Sequence, residues 1–181
     1  MEEYKEYKHN PPHLFRSNAK YFITGAIYKK KYFLISDKAK ACVFQSLYKG
    51  FNSFGWSLED WVILHNHYHL MANAPENAET LSAIIRDIHK FTAIWIKKNI
   101  HETKSVEKIW WNYWDTCITY EKSYFARLNY IWFNPIKHKL VEKAEYWKFG
   151  SYYYRYKKEK EYLEKLKEKY PFDKVKVKDG F

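Results

Sequence analysis

The sequence predicts an α+β fold: a ferredoxin-like antiparallel sheet with helices on one face. Four short segments are rich in apolar, aromatic and β-branched residues, as expected of strands, and two segments between them have apolar residues at helical spacing. Along the chain the order is strand, helix, strand, strand, helix, strand, which fits a split βαβ sheet. With 181 residues, 46% of them apolar, the chain is long enough to bury a sizeable core.

The first strand and helix follow an extended N-terminal arm. Pro11 and Pro12 favour an extended backbone in that arm, and "YFITGAIY" (21–28) is rich in the β-branched and aromatic residues typical of a strand. Ser36 or Asp37 then predicts the start of a helix that runs to about residue 50.

A hairpin and a long helix follow. "LEDWVILHN" (58–66) and "HYHLMANA" (67–74) predict two strands, with Asn66 near the tight turn between them. Residues 77–99 have apolar side chains at helical spacing, which predicts the second helix.

The last elements are a strand and two helices. "YWDTCITY" (113–120) predicts the fourth strand, and residues 121–134 predict a helix that Pro135 ends. Residues 157–170 predict a charged helix, followed by the basic tail "KVKVKDGF". The predicted domains are therefore a functional domain over 1–156 and a charged extension over 157–181.

Composition indicates a polyanionic partner. The net charge is +11 and aromatic residues make up 21% of the chain. Cations that follow phosphates and rings that stack on bases suit single-stranded nucleic acid. A lysine-rich surface around an aromatic core explains the same numbers, and composition does not separate DNA from RNA.

Other sequence features favour the cytoplasm. The two cysteines, Cys42 and Cys117, have neither metal-binding spacing nor a disulfide framework. The polar N-terminus does not resemble a signal peptide, and no uncharged apolar run is long enough to span a membrane. We therefore expect a cytoplasmic, nucleoid-associated protein with no membrane partner.

Histidines occupy alternate positions in "LHNHYHLMAN" (64–73). On an unbroken strand His65, His67 and His69 share one face, with Tyr68 and Leu70 pointing into the helix-covered core. If the turn falls at Asn66, only His67 and His69 remain neighbours, and two such imidazoles can bind one metal ion with a third ligand from elsewhere. Because the chain has eight histidines, one such pair also arises by accident.

A second pair lies on the helix before Pro135. Tyr130 and Asn134 are four residues apart, so they share one helix face, and a phenol beside an amide can place a nucleophile next to a metal ligand. Core packing explains this pair equally well, and the spacing alone does not single out Tyr130 over Tyr120 or Tyr124.

Two stretches together carry a family resemblance. "HNHYHLMANAP" followed by "YWDTCITYEKSYFARLNYIWFNPIKHKLVEKAEYW" resembles the REP-associated tyrosine transposases, which belong to the single-tyrosine HUH endonucleases. The similarity extends over about residues 10–155. It implies the ferredoxin-like sheet already predicted, with His67 and His69 as paired metal ligands, Asn134 as the third ligand and Tyr130 as the nucleophile.

This chain departs from the family pattern at several positions. His65 replaces the usual proline, Trp132 a histidine and Lys139 a glycine. The two arginines of the family's W-D-R-x-I-R stretch are Thr116 and Thr119 here, which puts some contacts to the DNA backbone in doubt. None of these changes removes a proposed ligand or the nucleophile.

The resemblance implies cleavage and rejoining of single-stranded DNA next to a REP-like hairpin. A Mg²⁺ or Mn²⁺ ion would act as a Lewis acid, and Tyr130 would form a 5′-phosphotyrosine. The protein would act as a monomer or a homodimer. The candidate phosphate contacts are Arg16, Lys20, Arg86, Lys90 and Lys137.

Two alternatives remain open from the sequence. The first is a non-catalytic module that binds single-stranded nucleic acid on the open face of the same sheet. The second is a zinc protein built on the three clustered histidines.

Overall fold

The sheet of the predicted fold is present in the computed structural model, which describes residues 15–170. Its strands are β1 (Lys20–Ala26), β2 (Ser57–Ile63), β3 (His67–Asn73) and β4 (Trp114–Ile118). They lie in the order β2-β3-β1-β4, and every neighbouring pair is antiparallel. The α+β, ferredoxin-like prediction is therefore confirmed.

Two helices cover one face of this sheet, as predicted. They are α1 (Asp37–Ser53) and α2 (Thr80–Asn99). The Ser36 hydroxyl caps α1 by accepting a hydrogen bond from the backbone N–H of Ala39. Their apolar sides enclose Tyr68 and Leu70 of β3 in the larger hydrophobic core, so these two strand residues point where the alternation predicts.

Two further helices cover the opposite face. They are α3 (Glu121–Lys137) and α4 (Ser151–Lys169), and they pack on Phe22, Val62 and Met71 of the strands. Because successive strand residues point to opposite faces, this second core contains the alternate residues of the same strands. Residues 67 and 69 of β3 therefore face α3.

The hairpin turn falls at residues 64–66. The backbone N–H of Leu64 donates to the carbonyl of His67, at 2.8 Å, and β3 begins at His67. His65 thus lies outside the strand, and only His67 and His69 share its α3 face.

The predicted end of the third helix is wrong. Pro135 does not stop α3, which continues to Lys137. A proline removes one backbone N–H, and Pro135 lies in the last turn, so only one intrahelical hydrogen bond is lost. Its side chain is buried, and the N–H of His138 still donates to the carbonyl of Asn134, at 3.0 Å.

The last helix begins earlier than predicted, at Ser151 rather than residue 157. Its first turn is held by polar contacts to the buried carboxylate of Asp60, which receives hydrogen bonds from Ser151 and Arg155. The sequence pattern missed this turn because these hydrogen bonds are made to a strand that lies about 90 residues earlier in the chain. α4 therefore runs across the domain boundary predicted at 156.

Parts of the sequence predictions lie beyond the region that the structure describes. They are the Pro11–Pro12 arm and the basic tail over 174–181. Within residues 15–170, no helix has the length and apolar character needed to cross a membrane.

Candidate metal and tyrosine site

The paired imidazoles of β3 meet two side chains of α3 between the sheet and that helix. His67, His69 and Asn134 are buried, and so is Tyr130, which is 1% exposed. The two imidazole rings lie 5.0 Å apart, and the His69 ring lies 5.1 Å from the Tyr130 ring. One chain therefore brings together all four residues.

Each imidazole has an outer partner at Nδ1. The Nδ1 of His67 lies 2.7 Å from the Asn66 Oδ1, and that of His69 lies 2.8 Å from the Thr24 Oγ1. Thr24 is the direct partner of His69 across β1 and β3. Contacts of this kind fix the ring orientation of metal-binding histidines and leave Nε2 to face the ion.

The Nε2 atoms face the centre of the site. The His67 Nε2 lies 3.2 Å from the Asn134 Oδ1. Among residues 15–170, the His69 Nε2 and the Asn134 Nδ2 are buried without a hydrogen-bond partner. A buried polar atom without a partner is costly, and in a native site a ligand or ion commonly explains it.

Burial keeps both imidazoles neutral. Desolvation lowers the pKa of His67 to about 3, and the nearby His138 adds to this effect. Desolvation and then His67 lower the pKa of His69 well below its usual value. Neutral imidazoles are the form that binds metal ions.

This donor set fits a divalent cation. A neutral imidazole carries one N–H, yet both ring nitrogens of His67 face amide oxygens. A cation between the His67 Nε2 and the Asn134 Oδ1 would bind two lone pairs that otherwise face each other. Two imidazoles and one amide oxygen leave coordination positions for other oxygen ligands.

The Tyr130 hydroxyl lies at the edge of this site. The Lys137 Nζ is 2.9 Å from that oxygen and 4.5 Å from the ring centroid. Because the side chain of Lys137 is exposed, the phenol oxygen meets a cation at the protein surface although its ring is buried. Lys137, predicted as a phosphate contact, thus lies against the candidate nucleophile.

Sequence reasoning missed three residues around the site. Thr24 and Asn66 are the outer partners of the histidines, and the His138 ring lies 4.9 Å from that of His67. His138 follows Asn134 by four residues, so extending the helix past Pro135 would have placed it here.

His65 lies apart from the other two histidines. Its ring contacts Tyr32 and Trp147, at 6.3 and 5.7 Å between centroids. Over residues 15–170, no group of three or more His, Cys, Asp or Glu side chains is placed to hold a metal ion. The zinc site made of all three histidines is therefore not formed in this region.

The other predicted phosphate contacts lie away from the histidines. Lys20, at the opposite end of β1, contacts Glu59 at 2.5 Å, and Arg16 is exposed before that strand. Arg86 pairs with Asp87 at 3.0 Å, and the exposed Lys90 follows it on α2. The structure does not bring these four side chains to the site.

A cavity of about 460 Å³ lies on the α2 side of the sheet. The stacked rings of His89 and Trp110 line it, and the Tyr68 hydroxyl lies 2.9 Å from the His89 Nε2. Tyr68 points away from its neighbours His67 and His69, so this cavity is separate from the metal and tyrosine site.

The non-catalytic alternative required a sheet face open to single-stranded nucleic acid. In the structure α1 and α2 pack on one face and α3 and α4 on the other. Phe22, an aromatic residue of the second face, is 3% exposed. Within residues 15–170 the sheet therefore has no open aromatic face for nucleic acid.

Two known proteins are similar in sequence to about half of this chain. The chain is 29% identical over 99 residues to a REP-associated tyrosine transposase of Escherichia coli, covering 54% of this chain and 55% of that protein. It is 31% identical over 98 residues to a Haemophilus influenzae protein assigned to the same group, covering 50% and 56%. The chain thus matches about half the length of these curated relatives.

One solved structure supports the fold. It is a REP-associated tyrosine transposase bound to a REP hairpin, with a TM-score of 0.65 and 21% identity over 98% of this chain and 93% of that one. The family model "Transposase IS200 like" matches residues 16–134, which include the paired histidines, Tyr130 and Asn134. Because that match covers more than half of its length, the chain belongs to the IS200-like transposase family.

Proposed function

We propose that this protein cleaves and rejoins single-stranded DNA next to a hairpin through a covalent bond to Tyr130. One observation carries the proposal: the phenol of Tyr130 lies beside two neutral, oriented imidazoles and an amide oxygen. A nucleophile next to a set of neutral metal donors is the arrangement that phosphoryl transfer to a tyrosine needs.

We propose a Mg²⁺ or Mn²⁺ ion as the cofactor, held by His67, His69 and Asn134. Such an ion would act as a Lewis acid that offsets the charge developing on the phosphate oxygens. The unpartnered His69 Nε2 and the opposed His67 Nε2 and Asn134 Oδ1 support this assignment. The amide oxygen and the remaining positions for oxygen ligands suit Mg²⁺ and Mn²⁺ alike, so we propose either ion.

Tyr130 would attack as a phenolate. A free phenol has a pKa of about 10, so an enzyme must favour its ionised form. The Lys137 ammonium, 2.9 Å from the oxygen, stabilises the phenolate more than the phenol. Attack forms a bond between phosphorus and the tyrosine oxygen and breaks the bond to O3′, which takes up a proton and leaves as a 3′-hydroxyl.

The covalent bond allows the strand to be rejoined. A 5′-phosphotyrosine keeps the phosphodiester energy, so a 3′-hydroxyl can attack it and release Tyr130 without ATP. Support for the hairpin substrate comes from the relative whose structure holds a REP hairpin, and from the net charge of +11. Because one chain contains all four residues, each subunit would act with its own tyrosine whether the protein is a monomer or a homodimer.

A covalent-adduct assay tests this function. The full-length protein is incubated with hairpin-bearing single-stranded DNA and Mg²⁺ or Mn²⁺, and the products are separated in SDS. We expect a DNA–protein adduct that EDTA and Tyr130→Phe both abolish. Tyr120→Phe is the matched control, because Tyr120 precedes the same helix and is 63% exposed.

The outcomes separate the candidate functions. Loss of the adduct in Tyr120→Phe but not in Tyr130→Phe would identify Tyr120 as the nucleophile and contradict the proposal. Binding of the hairpin with no adduct under any metal condition would instead favour a non-catalytic binding protein.

A further inference from the structure

A second cation shares the face of α3 that carries the nucleophile. Arg127, Tyr130, Asn134 and Lys137 follow one another at intervals of three, four and three residues, so their side chains lie along one side of the helix. Lys137 lies at the C-terminal end of this row and Arg127 at its N-terminal end. The nucleophile and the metal ligand lie between the two cations.

The guanidinium of Arg127 lies one aromatic ring away from the site. Its Cζ is 5.8 Å from the centroid of Phe22. The same ring stacks on His69 at 5.4 Å and meets the edge of Tyr130 at 6.1 Å. The Phe22 ring thus contacts Arg127, the candidate metal ligand His69 and the candidate nucleophile Tyr130.

The hydrogen-bonding capacity of Arg127 is only partly used. Its Nη1 donates to the hydroxyl of Ser123, whereas its Nε is buried and has no partner among residues 15–170. Within that region no carboxylate forms an ion pair with Arg127. Burial lowers the pKa of this guanidinium, and Tyr120 opposes that effect.

The other arginines of α2 and α4 differ in this respect. Arg86 pairs with Asp87, and Arg155 pairs with both Asp60 and Glu159. Half-buried cations in proteins usually have a counterion. Among residues 15–170 Arg127 has no such counterion, and an anionic ligand would supply one.

The edge of the sheet near Arg127 is accessible to such a ligand at β4. Thr116 of β4 is the direct partner of Phe22 across the strands, so both side chains lie on the α3 face. Thr116 is exposed and uncharged. A DNA strand that follows the exposed edge strand β4 at Thr116 would pass Arg127 before it reaches Tyr130.

We propose that Arg127 binds a DNA phosphodiester next to the scissile one and positions the strand for attack by Tyr130. This inference rests on the proposed function and adds a phosphate-binding site to it. Guanidinium groups bind phosphate oxygens with two parallel N–H donors, and the free Nε is one of the donors in that geometry. Arg127 also supplies positive charge on the same face of the sheet as the uncharged Thr116.

The test compares two charge-removing variants of the same helix. Binding of the full-length protein to fluorescent hairpin-bearing single-stranded DNA is measured at several KCl concentrations, in a Tyr130→Phe background that prevents cleavage. We expect Arg127→Gln to reduce the slope of log K against log salt by about 0.7, the loss of one phosphate contact. Lys122→Gln removes one charge from an exposed position on another face of α3 and should leave the slope unchanged.

Adduct formation gives the second readout, with Tyr130 intact. Arg127→Gln should slow it by about 10- to 100-fold, the range of a charged hydrogen bond, while Mn²⁺ affinity of the DNA-free protein stays unchanged. Arg127→Lys keeps the charge and loses the paired donors, so it should keep the salt slope but form the adduct more slowly. Arg127→Lys also provides the test if Arg127→Gln does not fold.

Two results would overturn the inference. One is a salt slope for Arg127→Gln equal to that of Lys122→Gln, and the other is an Arg127→Lys variant with the wild-type adduct rate. Both leave the proposed function intact if the wild-type adduct forms. If the wild type forms no adduct, the function fails, and the salt slope still tests the phosphate contact.

Discussion

The Lys137 Nζ lies 2.9 Å from the Tyr130 hydroxyl, so one helix carries both the candidate nucleophile and a cation in contact with its oxygen. The two residues are seven apart on α3, which places them two turns along one face. Lys137 itself is exposed, and partial burial lowers its pKa from the usual value for lysine.

Lys137→Gln should slow adduct formation at neutral pH by about tenfold, equivalent to roughly 1.4 kcal/mol of phenolate stabilisation. The defect should become smaller as the pH rises, because the phenol then ionises even without the neighbouring cation. Lys137→Arg keeps the charge and should retain most of the rate. The measurement is the adduct rate between about pH 6 and 10; a uniform defect across that range would assign Lys137 to DNA binding alone.

Thr24→Val should weaken metal binding without removing a proposed ligand. The Thr24 hydroxyl, 3% exposed, is the partner of the His69 Nδ1, and valine keeps its shape without the oxygen. Loss of such an outer partner typically costs about 10- to 100-fold in metal affinity. Mn²⁺ titration of the DNA-free protein, followed by electron paramagnetic resonance, measures this.

Thr92→Val is the control for Thr24→Val. Thr92 is equally buried and hydrogen-bonded, to the Ile88 carbonyl and to Trp110, but it lies on α2. It should reduce stability and leave Mn²⁺ affinity unchanged. Equal effects of the two variants on Mn²⁺ affinity would mean that Thr24 acts through general packing.

The order of elements along the chain and the direction of Tyr68 were predictable because both follow from local patterns. Hydrophobic periodicity gives the element order, and the strand period of two sends Tyr68 and Leu70 into one core and His67 and His69 to the other face. The pairing of Thr24 with His69 was not predictable, because it depends on the register between strands that are 45 residues apart.

The position of Lys137 beside Tyr130 lay within reach of the sequence. The helix was expected to end before Pro135, which removed Lys137 and His138 from the face that Tyr130 occupies. A proline in the last turn costs only one hydrogen bond, so its position within the helix matters more than its presence. Extending the helix by one turn would have placed Lys137 beside the nucleophile.

Arg155→Met should destabilise the fold by about 3–5 kcal/mol, because it leaves a buried carboxylate without its counterion. Asp60 is fully buried, and its Oδ2 accepts from the Arg155 Nη1 at 2.6 Å. Arg86→Met removes an exposed ion pair with Asp87 and should cost at most about 1 kcal/mol. Urea unfolding of both variants gives the comparison.

The Arg155→Met defect should depend on pH in a defined direction. Burial raises the pKa of Asp60, and Arg155 opposes that increase. Without Arg155 the folded-state pKa rises further above the unfolded value of about 3.9, so stability is lost as the pH rises through the folded pKa. The variant should therefore approach wild-type stability as the pH falls towards 4. A defect that is constant from pH 4 to 8 would show that Asp60 is already protonated in the wild type.

Gly25→Ala should impair both folding and metal binding, because a Cβ at this position would overlap the Tyr68 ring. That ring has little room to move, since its hydroxyl contacts His89 and its face meets Trp110. Overpacking of this kind typically costs about 1–3 kcal/mol. Because Tyr68 lies between His67 and His69, a shift of β3 would also move both imidazoles and lower Mn²⁺ affinity.

Gly150→Ala is the matched control for Gly25→Ala. A Cβ at Gly150 would lie 3.5 Å from its nearest neighbours, which is ordinary contact. Thermal unfolding and Mn²⁺ titration of the two variants should therefore differ, with only Gly25→Ala losing both stability and metal affinity. Wild-type Mn²⁺ affinity in a destabilised Gly25→Ala variant would show that the strand absorbs the added methyl group without moving the imidazoles.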